Sequence, residues 1–137
     1  MAYFKDLSPY RYAGIHQQGI LHVGWLDGSH PFPKGEVSGE ALEAMEELAK
    51  FPVEEYRGFH TCEICEPPEG LTVTDFDNWL AWAEPRSGNG EIRVRHGDFT
   101  FAAPTLIVHY IKEHGYCPPD EFLQALEESP NPPFSLI

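Results

Sequence analysis

The sequence predicts an α+β fold: a small, mainly antiparallel sheet with two or three helices packed on one side. Three observations carry this expectation. Stretches of alternating polarity at 20–26, 91–95 and 99–102 read as strands, the last two joined through His96-Gly97-Asp98 as a hairpin. Stretches with helical apolar spacing and favourable ends occupy 39–50, 103–114 and 118–128. Thirteen Pro and twelve Gly in 137 residues divide the chain into short elements joined by stiff turns.

Each element has a local reason. Tyr3 to Tyr12 is aromatic, contains Ser8-Pro9 and reads as an ordered extended arm. In the strand at 20–26, Leu21, Val23 and Trp25 share one face, and Asp27-Gly28 turns the chain. The first helix begins at Ser38, a good N-cap, and Pro52 stops it. Its apolar stripe is Leu42, Met45, Leu48 and Ala49, with Glu43, Glu46 and Glu47 opposite. From Val53 to Cys65 an extended segment would set Phe59 opposite His60. Between Leu71 and Trp82 the apolar period is mixed and fits strand or helix equally. Ser87-Gly88-Asn89-Gly90 reads as a turn. Ala103-Pro104 opens a second helix that ends at Gly115, and Pro118-Pro119 opens a third, with Phe122, Leu123, Ala125 and Leu126 inward. Past Ser129, three prolines forbid helix and the tail reads as disordered. With no repeat and no linker, residues 1–137 are expected to form a single domain.

Charge narrows the function. Twenty-two acids against nine bases give a net charge of −13, which disfavours nucleic acid and anionic membrane surfaces alike. The nearest basic cluster, Arg86, Arg93 and Arg95, is interleaved with Glu84 and Glu91. A basic protein partner fits this balance. No stretch has the ~20 apolar residues of a membrane span. The N-terminus lacks the apolar core of a signal peptide, so the cytoplasm is the expected location.

The strongest chemical signal is His60-Thr61-Cys62-Glu63-Ile64-Cys65. Two thiols spaced C-x-x-C can chelate one ion from a tight turn, and His60 points the same way if the segment is extended. Sulfur with imidazole favours zinc over calcium or magnesium. The remaining ligands must come from elsewhere, and His109, His114 and Cys117 are the candidates. On the second helix, His114 falls within the buried stripe of Leu106, Ile107, Tyr110 and Ile111, and His109 lies on its flank. A redox dithiol fits less well, because Pro67-Pro68 and acidic residues stand where a helix N-terminus is needed. The zinc nucleotide deaminases need an H-x-E and a P-C-x-x-C that this chain lacks. Gly88-Asn89-Gly90 precedes a strand rather than a helix, so it is a poor phosphate loop. Glu91 is the carboxylate to watch as an acid–base group.

Several of these stretches together resemble a family of uncharacterised bacterial proteins. They are Leu7-Ser8-Pro9-Tyr10 with Gly24-Trp25-Leu26-Asp27, and Arg57-Gly58-Phe59-His60 with Cys62 and Cys65. Gly88-Asn89-Gly90-Glu91-Ile92-Arg93-Val94 follows, then Ala103-Pro104-Thr105-Leu106-Ile107 with His109-Tyr110, His114, Tyr116 and Pro118-Pro119. The resemblance spans nearly the whole chain in one order, implies a stand-alone unit of this size, and brings no established activity. It implies that His60, Cys62, Cys65, His109 and His114 sit at the family's His and Cys positions, whereas Cys117 is particular to this sequence.

The function expected from the sequence is a small cytosolic domain with a mainly structural zinc site, acting by protein–protein interaction. One alternative is a hydrolase-type enzyme with an open zinc site, in which Glu91 or another carboxylate activates bound water. Another is a metal-free structural domain whose Cys and His simply pack.

Overall fold

A computed structural model describes residues 3–12, 15–53 and 60–128. The extended reading of 54–59, including Phe59, the Arg57-Gly58-Phe59 motif and the tail after Ser129 lie outside the described residues. The strands are β1 (Pro9–Tyr12), β2 (Ile15–His22), β3 (His60–Thr61), β4 (Ser87–Gly88), β5 (Glu91–His96) and β6 (Phe99–Pro104). The helices are α1 (Gly39–Ala49), α2 (Phe76–Ala83), α3 (Ile107–His114) and α4 (Asp120–Glu128), with a 3-10 turn at Glu84–Arg86. Four strands form one sheet in the order β1-β2-β6-β5, antiparallel except where β2 runs parallel to β6. β3 and β4 make a separate antiparallel pair.

Strand alternation gives this sheet two faces. In the β5–β6 hairpin, Ile92 pairs with Ala103 and Val94 with Phe101. These four residues join Leu21 in packing against Met45 and Leu48 of α1, Ile107 and Tyr110 of α3, and Phe122, Ala125 and Leu126 of α4. Phe101 meets Phe122 edge to face, ring centroids 5.8 Å apart. Between them, α1, α3 and α4 therefore cover one side, as the sequence predicts. The described chain has a fourth helix, α2, of which only Ala83 is buried.

The opposite face carries a polar network. Phe4 stacks on the buried His22 with centroids 3.8 Å apart. Trp25 Nε1 donates to the Ala102 carbonyl at 2.9 Å. Tyr10 donates its hydroxyl to Glu91 Oε2 at 2.6 Å, and Arg93 donates to Glu91 Oε1 through Nε and a terminal nitrogen at 3.1 and 2.9 Å.

Local chemistry accounts for the helix ends. The Ser38 side chain accepts from the Ala41 N–H at 3.1 Å, as an N-cap should. Gly115 closes α3 in the left-handed region at φ 70°. The Pro119 carbonyl accepts from the Phe122 and Leu123 N–H groups at the start of α4.

Four expectations are corrected or resolved. The second strand begins at Ile15 and ends at His22 rather than at Leu26. Gly24, at φ 77°, bends the chain, so Val23 enters the helix-side core while Trp25 joins Phe4 and His22 on the other face. Ala103-Pro104 ends β6 instead of opening α3, which begins at Ile107. Proline is tolerated there because its cross-strand neighbour Glu91 exchanges both backbone hydrogen bonds with Val53, each at 2.8 Å.

Ser87-Gly88 is a strand paired with β3 rather than part of a turn. Its glycine is required by crowding, since a Cβ on Gly88 would collide with the Thr105 side chain. The ambiguous stretch 71–82 resolves into a turn followed by α2. No helix among the described residues is long and apolar enough to cross a membrane.

Candidate metal centre

The site forms where the β3–β4 pair meets α3. β3 holds His60 opposite Gly88 and Thr61 opposite Ser87. The Cys62 N–H then donates to the Arg86 carbonyl at 2.7 Å, extending the ladder by one bond. Thr61 Oγ1 and Ser87 Oγ lie 2.9 Å apart, and Ser87 Oγ donates to the Ala83 carbonyl at 2.6 Å. The link from β4 to β5 is fixed in turn to the β6–α3 turn, where the Thr105 N–H donates to the Gly90 carbonyl at 3.0 Å. These contacts bring the C-x-x-C turn against α3, which carries His109 in its first turn and His114 at its last residue.

Cys62, Cys65, His109 and His114 each offer one ligand atom to a common point, and these atoms all lie within 4.8 Å of one another. Cys65 Sγ is 3.2 Å from His109 Nε2 and 3.3 Å from His114 Nε2, and Cys62 Sγ is 3.5 Å from His114 Nε2. A tetrahedral ion with metal–sulfur bonds of about 2.3 Å and metal–nitrogen bonds of about 2.0 Å would separate such atoms by roughly 3.5 Å. The four side chains could therefore hold a metal ion. All three cysteines are free thiols, with no disulfide between Cys62 and Cys65.

Electrostatics at the group follow from burial. Cys62 is only 3% exposed. Burial pushes its thiol up to about 11, opposed by backbone N–H bonds from Cys65 and Ile64 to its sulfur. Burial holds His109 below its ordinary value, with a further push from His114, and burial likewise lowers His114. Neutral imidazoles are the form that binds a cation.

Tyr110, one turn inside α3, is fully buried, and its hydroxyl has no hydrogen-bond partner among the described residues. Burial raises its pKa first, and the charges of Cys62 and Glu63 add to the rise. The sequence marks Tyr110 only as part of the buried stripe. The Ile64 N–H escaped sequence reasoning as well, although a C-x-x-C turn is the signal for such a bond.

The remaining sequence candidates lie elsewhere. His60 is on β3, partly buried and outside the four-residue group, its pKa lowered mainly by burial. Cys117 Sγ donates to the Pro118 carbonyl at 3.6 Å and is not in the group. Glu91 is fully buried on the sheet face opposite the helices, held by Tyr10 and Arg93, and is likewise not among the four. A cavity of about 300 Å³ lies beside α3, lined by residues including Ser87, Thr105, Lys112 and Glu113. Of the four donors only His109 reaches its wall.

Comparison with curated proteins and with solved structures finds no match to the chain. A protein family does match, over residues 2–127. That span takes in every element described above except the last residue of α4, and all four residues of the group, and the chain belongs to the family of the domain of unknown function DUF7919.

Proposed function

We propose that the chain is a cytoplasmic, single-domain protein that binds one zinc ion with Cys62, Cys65, His109 and His114, and that it acts through protein–protein contact. The observation that carries the metal reading is the convergence of these four ligand atoms to within 4.8 Å. Two thiolates and two imidazoles suit zinc better than the hard cations, which prefer oxygen. Four protein donors complete a tetrahedral shell and leave no open position for water or substrate, the arrangement of a structural rather than a catalytic ion. The ion would join the C-x-x-C turn to α3, two segments whose ligands Cys65 and His109 stand 44 positions apart in the sequence. Its role is to lock the fold, so function falls to the surface, whose net charge of −13 suits a partner rich in Lys and Arg.

Metal content of the purified protein tests this reading, with Cys62→Ser and His114→Ala beside the wild type. The expected result is about one zinc per chain in the wild type and a clear loss in both variants. Wild-type protein prepared without chelator and found free of metal would sink the proposal, leaving the four side chains as ordinary packing.

A further inference from the structure

α2 is a helix with an unusual balance of burial. Among Phe76–Ala83 only Ala83 is buried. Trp79 and Trp82 are partly exposed and lean on one another with centroids 5.3 Å apart, and Arg86 lies over the Trp82 ring at 5.0 Å. By the 100° helical step, Trp79, Trp82 and Ala83 form the side toward the body. Phe76 and Leu80 continue the apolar face along one flank, and Val73 precedes them in the adjoining turn. These three are left in water: Phe76 is 62% exposed, Val73 63% and Leu80 37%. Single exposed apolar side chains are ordinary, but three neighbours on one short segment form a patch that needs an explanation.

The surroundings of the patch indicate what covers it. From Glu63 to Arg86 the chain carries six acids, Glu63, Glu66, Glu69, Asp75, Asp77 and Glu84, all exposed, against a single base, the Arg86 that lies over Trp82. A second copy of this chain would set one acidic rim against another across the contact, and a phosphate-bearing surface would meet the same repulsion. Apolar contact framed by negative charge instead matches a helix that presents Leu-type residues on one side and Lys or Arg beside them.

We infer that Phe76 and Leu80 of α2, with Val73 of the turn before it, are the docking surface for a basic amphipathic helix of a partner protein. The inference rests on the interaction role proposed above and gives that role a place and a partner chemistry. The apolar flank supplies the buried centre of the contact, and the acidic residues form its rim and steer the partner's approach. Trp79 and Trp82, next to the flank, would lose water as the partner seats.

The probe is a synthetic helical peptide of Lys and Leu in amphipathic order, titrated while tryptophan emission is followed. A Glu/Leu peptide and zwitterionic vesicles serve as controls. The wild type should bind the Lys/Leu peptide with a blue shift, and added salt should weaken binding. Phe76→Ser/Leu80→Ser should lower affinity at least tenfold, with an unchanged circular dichroism spectrum and unchanged zinc content. The charges remain in that variant, so simple attraction between opposite charges would not produce the loss. Equal binding by variant and wild type overturns the surface while leaving an interaction role in force. Failure of the wild type to bind although it retains zinc overturns the docking inference and spares the metal assignment. Binding to the Glu/Leu peptide or the vesicles, or a concentration-dependent dimer abolished in the variant, replaces the partner named here with another occupant.

Discussion

Cys62 shows how a buried residue can be costly alone and useful with a cation. Without an ion, burial pushes its thiol up to about 11, so it holds its proton at neutral pH. Binding a dication displaces that proton, and affinity must therefore rise with pH. His109 and His114 are shifted downward, which keeps them neutral and prevents them from competing until pH falls below the ordinary imidazole range. Between pH 6 and 8 the Cys62 proton alone gives about a tenfold gain in apparent zinc affinity per pH unit. Competition titrations against a chelator at several pH values would read this slope, and a flat profile would show that no Cys62 proton is displaced. The two thiols and both histidines were legible from residue type and spacing. That His109 and His114 both join the group was not. Five positions apart on a helix, they differ by about 140° in direction. The sulfur of Cys65 sits between them, 3.2 and 3.3 Å from the two Nε2 atoms, and this makes allies of apparent alternatives.

Among the elements, those with complete local instructions matched the sequence best. α1 has its Ser38 cap, α3 its Gly115 terminus, and the β5–β6 hairpin its Gly97 turn. Elements defined by distant partners were misplaced. Pro104 suits a helix start or a strand end, and only Val53, taking both backbone hydrogen bonds of Glu91, makes it the latter. The Gly88 region looks like a turn until Thr105 shows that the missing side chain makes room for the turn between β6 and α3.

Gly24 couples two elements in the same way. Its φ is 77°, and a Cβ there would lie 2.8 Å from Ile107 Cδ1 at the start of α3. Gly24→Ala should therefore destabilise the fold by roughly 2–5 kcal/mol, combining left-handed strain with overpacking. Chemical denaturation would measure this, and a loss below about 1 kcal/mol would mean that the Ile107 side chain yields to the added Cβ almost freely.

At the scale of the molecule, the ion should act as a ligand of the native state. Free zinc at about a hundredfold its Kd adds about 2.7 kcal/mol to stability. For a chain of this size that amounts to a rise of roughly 10 °C in Tm over the chelated protein. Scanning calorimetry with chelator and with graded zinc would test this, and the same Tm in both would remove the ion from the folding equilibrium. The architecture was legible because pattern and punctuation agree along most of the chain. α2 was not, because Val73, Phe76 and Leu80 stay in water and blur the apolar period of residues 71–82.

The pairing of His60-Thr61 with Ser87-Gly88 has one more consequence. The chain passes from Thr61 through the core-packed Cys62–Cys65 turn and returns at Ser87 on the adjacent strand, so residues 66–82 form a detour whose two ends are held close together. Lengthening such a detour hardly disturbs what lies beneath it: doubling a loop costs only about 0.6 kcal/mol in closure entropy. Beyond Cys65, drift in length and composition is therefore tolerated by the sheet and its three covering helices. Evolution can rewrite this part of the surface while the scaffold beneath it stays as it is.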